Sequence, residues 1–239
     1  MKMNFTSPIW LQSASNIGGK KPVTRFVFVK GQNQVQLSAE GDVIIESVQS
    51  GEKVLETYSA LDDTHVTINA DEGTEIVIYG AVYAINNAGE ENLFTSLDVS
   101  MNTALTNLYC NGCTGLTTLD VSMNTALTRL ICNDCTGLTT LDVSKNTALT
   151  NLYCNGCSGL TTLDVSKNTA LTILYCNGCT GLTTVNGIAV NSEVSTSIAG
   201  AITNATSVDG TVTLRQGDEF NQTIIDDAME KGWDVQYYQ

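Results

Sequence analysis

Eight cysteines stand in four C-x-x-C pairs: Cys110/Cys113, Cys132/Cys135, Cys154/Cys157 and Cys176/Cys179. Spaced C-x2-C-x18-C-x2-C, they fall within the zinc-ribbon pattern, in which four thiolates converge tetrahedrally on one ion. A second set is acidic. Asp98, Asp120, Asp142 and Asp164 recur every 22 residues, and a row of carboxylates offers oxygen to calcium, which takes six to eight such ligands. One carboxylate per repeat is a thin ligand set, and no dense Asp/Gly loop accompanies it. The third set is Tyr109, Tyr153 and Tyr175, with Ile131 in the fourth place. Asn107, Arg129, Asn151 and Ile173 flank it on one side, and Asn111, Asn133, Asn155 and Asn177 on the other. Aromatic rings bordered by amides suit a sugar or a protein ligand. The same residues also read as ordinary cross-strand packing. Acid–base chemistry is poorly served. The single histidine, His65, follows Asp62 and Asp63 with no nucleophile indicated nearby, so it reads as solvated or packed rather than catalytic. The chain carries no P-loop, dinucleotide fingerprint, nucleophile elbow or metal-hydrolase helix. A non-enzymatic protein without a cofactor is expected.

What must position these residues is a repeat. From Leu97 to Thr184 the chain is four tandem copies of 22 residues, the first reading LDVSMNTALTNLYCNGCTGLTT. A fifth begins at Val185 and decays after Asn186-Gly187. Within each copy runs a finer period of 11: Leu105-x-x-Leu108-x-Cys110-x-x-Cys113 is followed in phase by Leu116-x-x-Leu119-x-Val121-x-x-Asn124. Alternating side chains point Leu, Leu and Cys/Val one way from a short strand, and Asn-Gly, Thr-Gly and Ser-x-Asn-Thr supply the turns. One copy therefore reads as strand, turn, strand, turn, with no helical period. A lone coil cannot bury its leucines, whereas stacked coils bury them in a continuous column. Parallel rungs sit about 4.8 Å apart, so four units make a short solenoid.

The phase bears on the cysteines. Cys110 occupies the slot of Val121, and Cys113 that of Asn124. Both are inward, where cysteine behaves as a small hydrophobe with a weak S–H donor. Two ladders of reduced thiols are expected, reactive only after unfolding. Zinc and inter-rung disulfides, whose Cα separation would be allowed, are the alternatives. Asn102, Asn124, Asn146 and Asn168 form an amide column able to satisfy backbone groups in the turns.

These repeats resemble the leucine-rich repeat, L-x-x-L-x-L-x-x-N/C-x-L. LTxLDVSxN alternating with LTxLxC is more closely similar to the cysteine-ladder repeats of internalin-like and related bacterial surface proteins. The resemblance covers residues 97–184. A second spacer residue, Gly115, follows Cys113 where the family usually has one. The family's concave strand falls on the LYC half, and the LDV half fits almost equally well. The resemblance implies a surface or secreted location and a role in adhesion or recognition.

The flanks differ in texture. Residues 1–92 alternate in short runs such as Val23–Val29, Gln34–Leu37, Val43–Ile45, Val54–Tyr58, Val66–Ile68 and Glu75–Tyr79, as a β-rich, sandwich-like domain does. The solenoid is expected over 93–187 and an αβ cap over 188–239. That cap has a helix over 192–205, a strand at Thr211–Leu214, a helix from Asp218 to Lys231 and a strand at Asp234–Tyr238. Strand–helix–strand of this length implies a parallel crossover extending the solenoid sheet. The fold class is mostly β with a small α/β part at the C-terminus.

With 25 Asp+Glu against 11 Lys+Arg, the formal net charge is −14. Such a chain repels phosphate backbones, so nucleic acid is not an expected partner. The repeat itself is nearly neutral, with 5 acids and 3 bases over 97–184. No apolar run reaches the roughly 18 residues of a membrane span, and the first residues lack the apolar stretch of a secretory signal. The leading expectation is a non-catalytic module that binds a protein or carbohydrate through its solenoid face. The alternative is a structural or receptor-binding component of a larger assembly, such as a phage particle or surface appendage.

Overall fold

A computed structural model describes residues 3–4, 22–28, 33–49, 52–62, 66–70, 74–87, 94–186, 211–215, 226, 229–230 and 234–238. Its elements are β1 (Met3–Asn4), β2 (Pro22–Phe28), β3 (Asn33–Gln49), β4 (Glu52–Asp62), β5 (Val66–Ala70) and β6 (Glu75–Asn86). The repeat holds β7 (Phe94–Asp98), β8 (Asn107–Tyr109), β9 (Arg129–Ile131), β10 (Leu141–Asp142), β11 (Asn151–Tyr153), β12 (Thr162–Asp164), β13 (Ile173–Tyr175) and β14 (Thr184–Asn186). Two more follow, β15 (Thr211–Arg215) and β16 (Asp234–Tyr238).

The repeat is a β-solenoid of about four coils whose paired strands lie one 22-residue unit apart. The LYC halves β8, β9, β11 and β13 form one parallel ladder, with Leu108, Leu130, Leu152 and Leu174 in register. The LDV halves β10, β12 and β14 form the other, pairing Leu141 with Leu163 and Leu163 with Val185. Both halves thus carry a sheet. The 11-residue half-period explains why: each half has the same inward triplet and a tight turn, so neither is long enough for anything bulkier. Leu105, Leu108, Cys110, Cys113, Leu116, Leu119 and Val121 are buried between the ladders, as are their copies in later coils. Burial of each leucine side chain stabilises the stack by about 1.5–3 kcal/mol.

The N-terminal strands do not stop at the repeat. β3 is one strand through Gly41 rather than the two short runs read from sequence, with a register shift between Gly41 and Val43 against β4. β6 extends past Tyr79 and changes partner along its length. Its first half pairs with β2, Thr24 opposite Ile78; its second half pairs in parallel with β8, Ala84 opposite Asn107. The change follows Gly80, whose φ is +130° and where a Cβ would meet the Asp42 carbonyl oxygen at 2.7 Å. Only glycine adopts that backbone at that distance without strain. On the other side β2 pairs antiparallel with β7, so each half of the first coil is covered by its own N-terminal strand. One core cluster runs from Val35 to Val185.

At the far end β15 and β16 add in parallel to β14, with Val185, Val212 and Val235 in one row. The helices expected over 192–205 and 218–231 lie outside the described residues, apart from Asp226, Met229 and Glu230, whose backbone is helical. His65 also lies outside them. No helix among the described residues is long and apolar enough to cross a membrane.

Candidate functional site

The inward columns set the spacing of everything outside. All eight cysteines are free and fully buried. The second thiol of each later pair donates to the carbonyl of the first cysteine in the preceding coil: Cys135 to Cys110 at 3.1 Å, Cys157 to Cys132 at 3.1 Å and Cys179 to Cys154 at 3.0 Å. Half a unit on, asparagine does the same work with two hydrogens. The Asn146 amide donates to the Val121 and Asn124 carbonyls, both at 2.9 Å. Asn124 and Asn168 repeat the pair of bonds one coil either side. The first member, Asn102, donates to the Thr24 hydroxyl of β2 at 3.3 Å. Among the described residues no three His, Cys, Asp or Glu side chains are grouped to hold a metal ion.

Burial has a measurable consequence for the thiols. Hydrogen bonding with Cys157, then burial, pushes the Cys132 thiol well above the ordinary 9.0. Hydrogen bonding with Cys110, with burial, does the same to Cys135. At the last rung hydrogen bonding with Cys179, then burial, raises the Cys154 thiol as well. A thiol raised in the folded state contributes stability that is complete below its unfolded pKa and is lost as pH climbs toward the folded value. Cys132 and Cys135 together are therefore expected to cost about 3 kcal/mol of unfolding free energy per pH unit above about pH 8.5. Urea unfolding under reductant at pH 8 and pH 9.5 reads this directly, and equal midpoints would contradict buried, protonated thiols.

The carboxylate column faces out from the LDV ladder. Each aspartate accepts the backbone N–H two residues on: Ser100 to Asp98 at 3.0 Å, Ser122 to Asp120 at 2.9 Å, Ser144 to Asp142 at 2.8 Å and Ser166 to Asp164 at 2.8 Å. These are turn-closing contacts of the kind aspartate makes locally. Bonds from the Ser122 side chain and backbone hold the Asp120 carboxyl low, outweighing repulsion from Asp142. The Ser144 bonds lower Asp142 likewise.

The LYC ladder presents the remaining residues outward. Tyr109, Ile131, Tyr153 and Tyr175 occupy one register column. All four are half-buried, and the Tyr153 and Tyr175 ring centroids lie 5.0 Å apart at a 45° tilt. Asn107, Arg129, Asn151 and Ile173 form the adjacent outward column. Arg129 is exposed and its guanidinium donates to the Tyr109 hydroxyl at 3.2 Å. Asn107 donates to the Thr106 hydroxyl at 3.0 Å, and Asn151, 9% exposed, accepts from Thr150 at 2.7 Å.

Asn111, Asn133, Asn155 and Asn177 behave differently from the two outward columns. The Asn111 side-chain oxygen accepts the Asn133 backbone N–H at 3.1 Å; Asn133 serves Asn155 at 3.0 Å, and Asn155 serves Asn177 at 2.9 Å. They form a second amide ladder, in the turn rather than on the strand. A third ladder went unread in the sequence. The Thr128, Thr150 and Thr172 hydroxyls each donate to the threonine carbonyl one coil back, at 3.0–3.1 Å. The 22-residue spacing of the threonines was the available signal, but it does not tell a hydroxyl that turns back from one that faces water.

No family model matches the chain, and no curated protein does. Among solved structures, the functional domain of InlJ from Listeria monocytogenes, which includes a cysteine ladder, matches at 28% identity with a TM-score of 0.31. The match covers 59% of this chain and 31% of that one, so it spans under a third of the InlJ chain. The chain is a β-solenoid repeat protein whose eight cysteines stack inside its coils.

Proposed function

We propose that the chain is a non-catalytic recognition module, a leucine-rich-repeat solenoid of the cysteine-ladder type, acting in adhesion at a bacterial surface. The observation that carries this reading is the outward column of the LYC ladder. Parallel pairing holds Tyr109, Tyr153 and Tyr175 in register on a rigid support. Rigid amphipathic rings lose little conformational entropy on contact, which is why tyrosine serves well in binding surfaces. The inward columns need no outward tyrosine, since leucine, cysteine and asparagine already close the core.

Replacing Tyr109, Tyr153 and Tyr175 together by alanine is expected to reduce capture on glycan or protein arrays at least tenfold. Far-UV circular dichroism and the urea midpoint should stay close to those of the parent. Unchanged capture would reject this face as the binding surface.

A further inference from the structure

The second coil departs from the repeat more than any other. Against the shared unit, it alone carries Arg129 for asparagine, Ile131 for tyrosine and Asp134 for glycine. Asp134 takes the positive-φ turn slot, at φ 57°, that Gly112, Gly156 and Gly178 hold elsewhere. The other two lie together on β9, both on the outward face. Ile131 has no ring, so the tyrosine column is interrupted at the rung that carries Arg129. Tyr109 and Tyr153 therefore stand two rungs apart, roughly 9.6 Å, with an aliphatic side chain between them. That gap admits one pyranose ring. Beside it, Arg129 is oriented by the Tyr109 hydroxyl at 3.2 Å, and among the described residues no carboxylate pairs with it.

We propose that this gap seats one carboxylated sugar unit of a glycan, with Arg129 binding the carboxylate and Ile131 forming the floor between Tyr109 and Tyr153. The inference rests on the binding-face reading above and names the ligand class for it. A planar guanidinium matches a carboxylate with two parallel hydrogen bonds. The flanking Asn107 amide, half-buried beside the gap, suits a hydroxyl group rather than an apolar anchor. The aspartate column does not oppose an anion here. It belongs to the other ladder, about 10 Å away across the core, at or beyond the screening length in physiological salt.

The test uses the full chain with 3′-sialyllactose and a hyaluronan tetrasaccharide, each as free acid and as methyl ester, and hexaglutamate as an acidic peptide. At least one acid is expected to bind, at least tenfold tighter than its ester. Arg129→Asn should abolish that preference, and Ile131→Tyr, which fills the gap, should weaken the acid at least tenfold. Both substitutions restore the residue that neighbouring coils carry, so the fold accommodates them. The proposal is overturned if neither acid binds, if the ester binds equally well, if Arg129→Asn changes nothing, or if hexaglutamate matches the best acid. Tyr153→Ala separates the two levels. If it weakens acid and ester alike while Arg129→Asn is silent, the anionic seat falls and the binding face stands; if both variants are silent, the face falls too.

Discussion

Asn146→Ala is expected to lower the unfolding free energy by about 1–3 kcal/mol, because two buried carbonyls each lose one of two donors. The Val121 oxygen keeps the Asn124 N–H at 3.0 Å and the Asn124 oxygen the Leu127 N–H at 2.9 Å. The Asn146 amide reaches the Val121 and Asn124 carbonyl oxygens at 2.9 Å each, and Asn146 is fully buried in the middle of the stack. Its own side-chain oxygen has no hydrogen-bond partner among the described residues, so the substitution also removes one uncompensated acceptor and the loss should sit below the upper figure. Cysteine at the same place is the sharper comparison. Cys135 fills the equivalent slot half a unit earlier and donates one S–H to a carbonyl 25 residues back. Asn146→Cys should therefore recover one of the two bonds and fall between parent and alanine in urea midpoint. If Asn146→Ala unfolds within about 0.5 kcal/mol of the parent, the ladder contributes nothing that water does not replace.

Gly80→Ala is expected to cost about 3 kcal/mol or more, from strained backbone and a backbone clash acting together. At φ +130° the alanine Cβ would lie 2.7 Å from the Asp42 carbonyl oxygen and 3.3 Å from two Val43 atoms. The position cannot relax cheaply, since β6 exchanges β2 for β8 on either side of it. A control lies within the repeat: at Gly115 a Cβ would meet Thr95 Cγ2 at 3.5 Å and Thr95 Cα at 3.9 Å, both ordinary contacts. Gly115→Ala should remain within about 0.5 kcal/mol of the parent. Thermal unfolding of the two variants checks the pair, and equal losses would mean that Gly80 serves no special geometry.

The solenoid was legible because its signal is redundant. Leu108, Leu130, Leu152 and Leu174 recur at one spacing, and the pattern has only one way to bury them all. The inward phase of Cys110 and Cys113 followed from comparing them with Val121 and Asn124. The run of β6 beyond Tyr79 was not legible. Ala84-Ile85-Asn86 contributes a rung beneath β8 yet shares only one apolar residue with Asn107-Leu108-Tyr109. Backbone pairing makes that rung, and backbone pairing leaves little trace in residue type. The Asn111 column was read together with the tyrosines as binding surface, since an amide suits a ligand as well as a neighbouring turn. What separates the two is which coil's N–H lies 3 Å away, and spacing does not carry that.

Three of the side-chain ladders share a direction. The Asn146 amide, the Cys135 thiol and the Thr128 hydroxyl all reach toward the coil that precedes them in the chain. During synthesis on the ribosome, each new coil therefore meets its acceptors already in place, and its inward donors need not wait for sequence still to be translated. Growth can proceed rung by rung from the β6 and β2 template, with only the newest turn left to be completed by what emerges next.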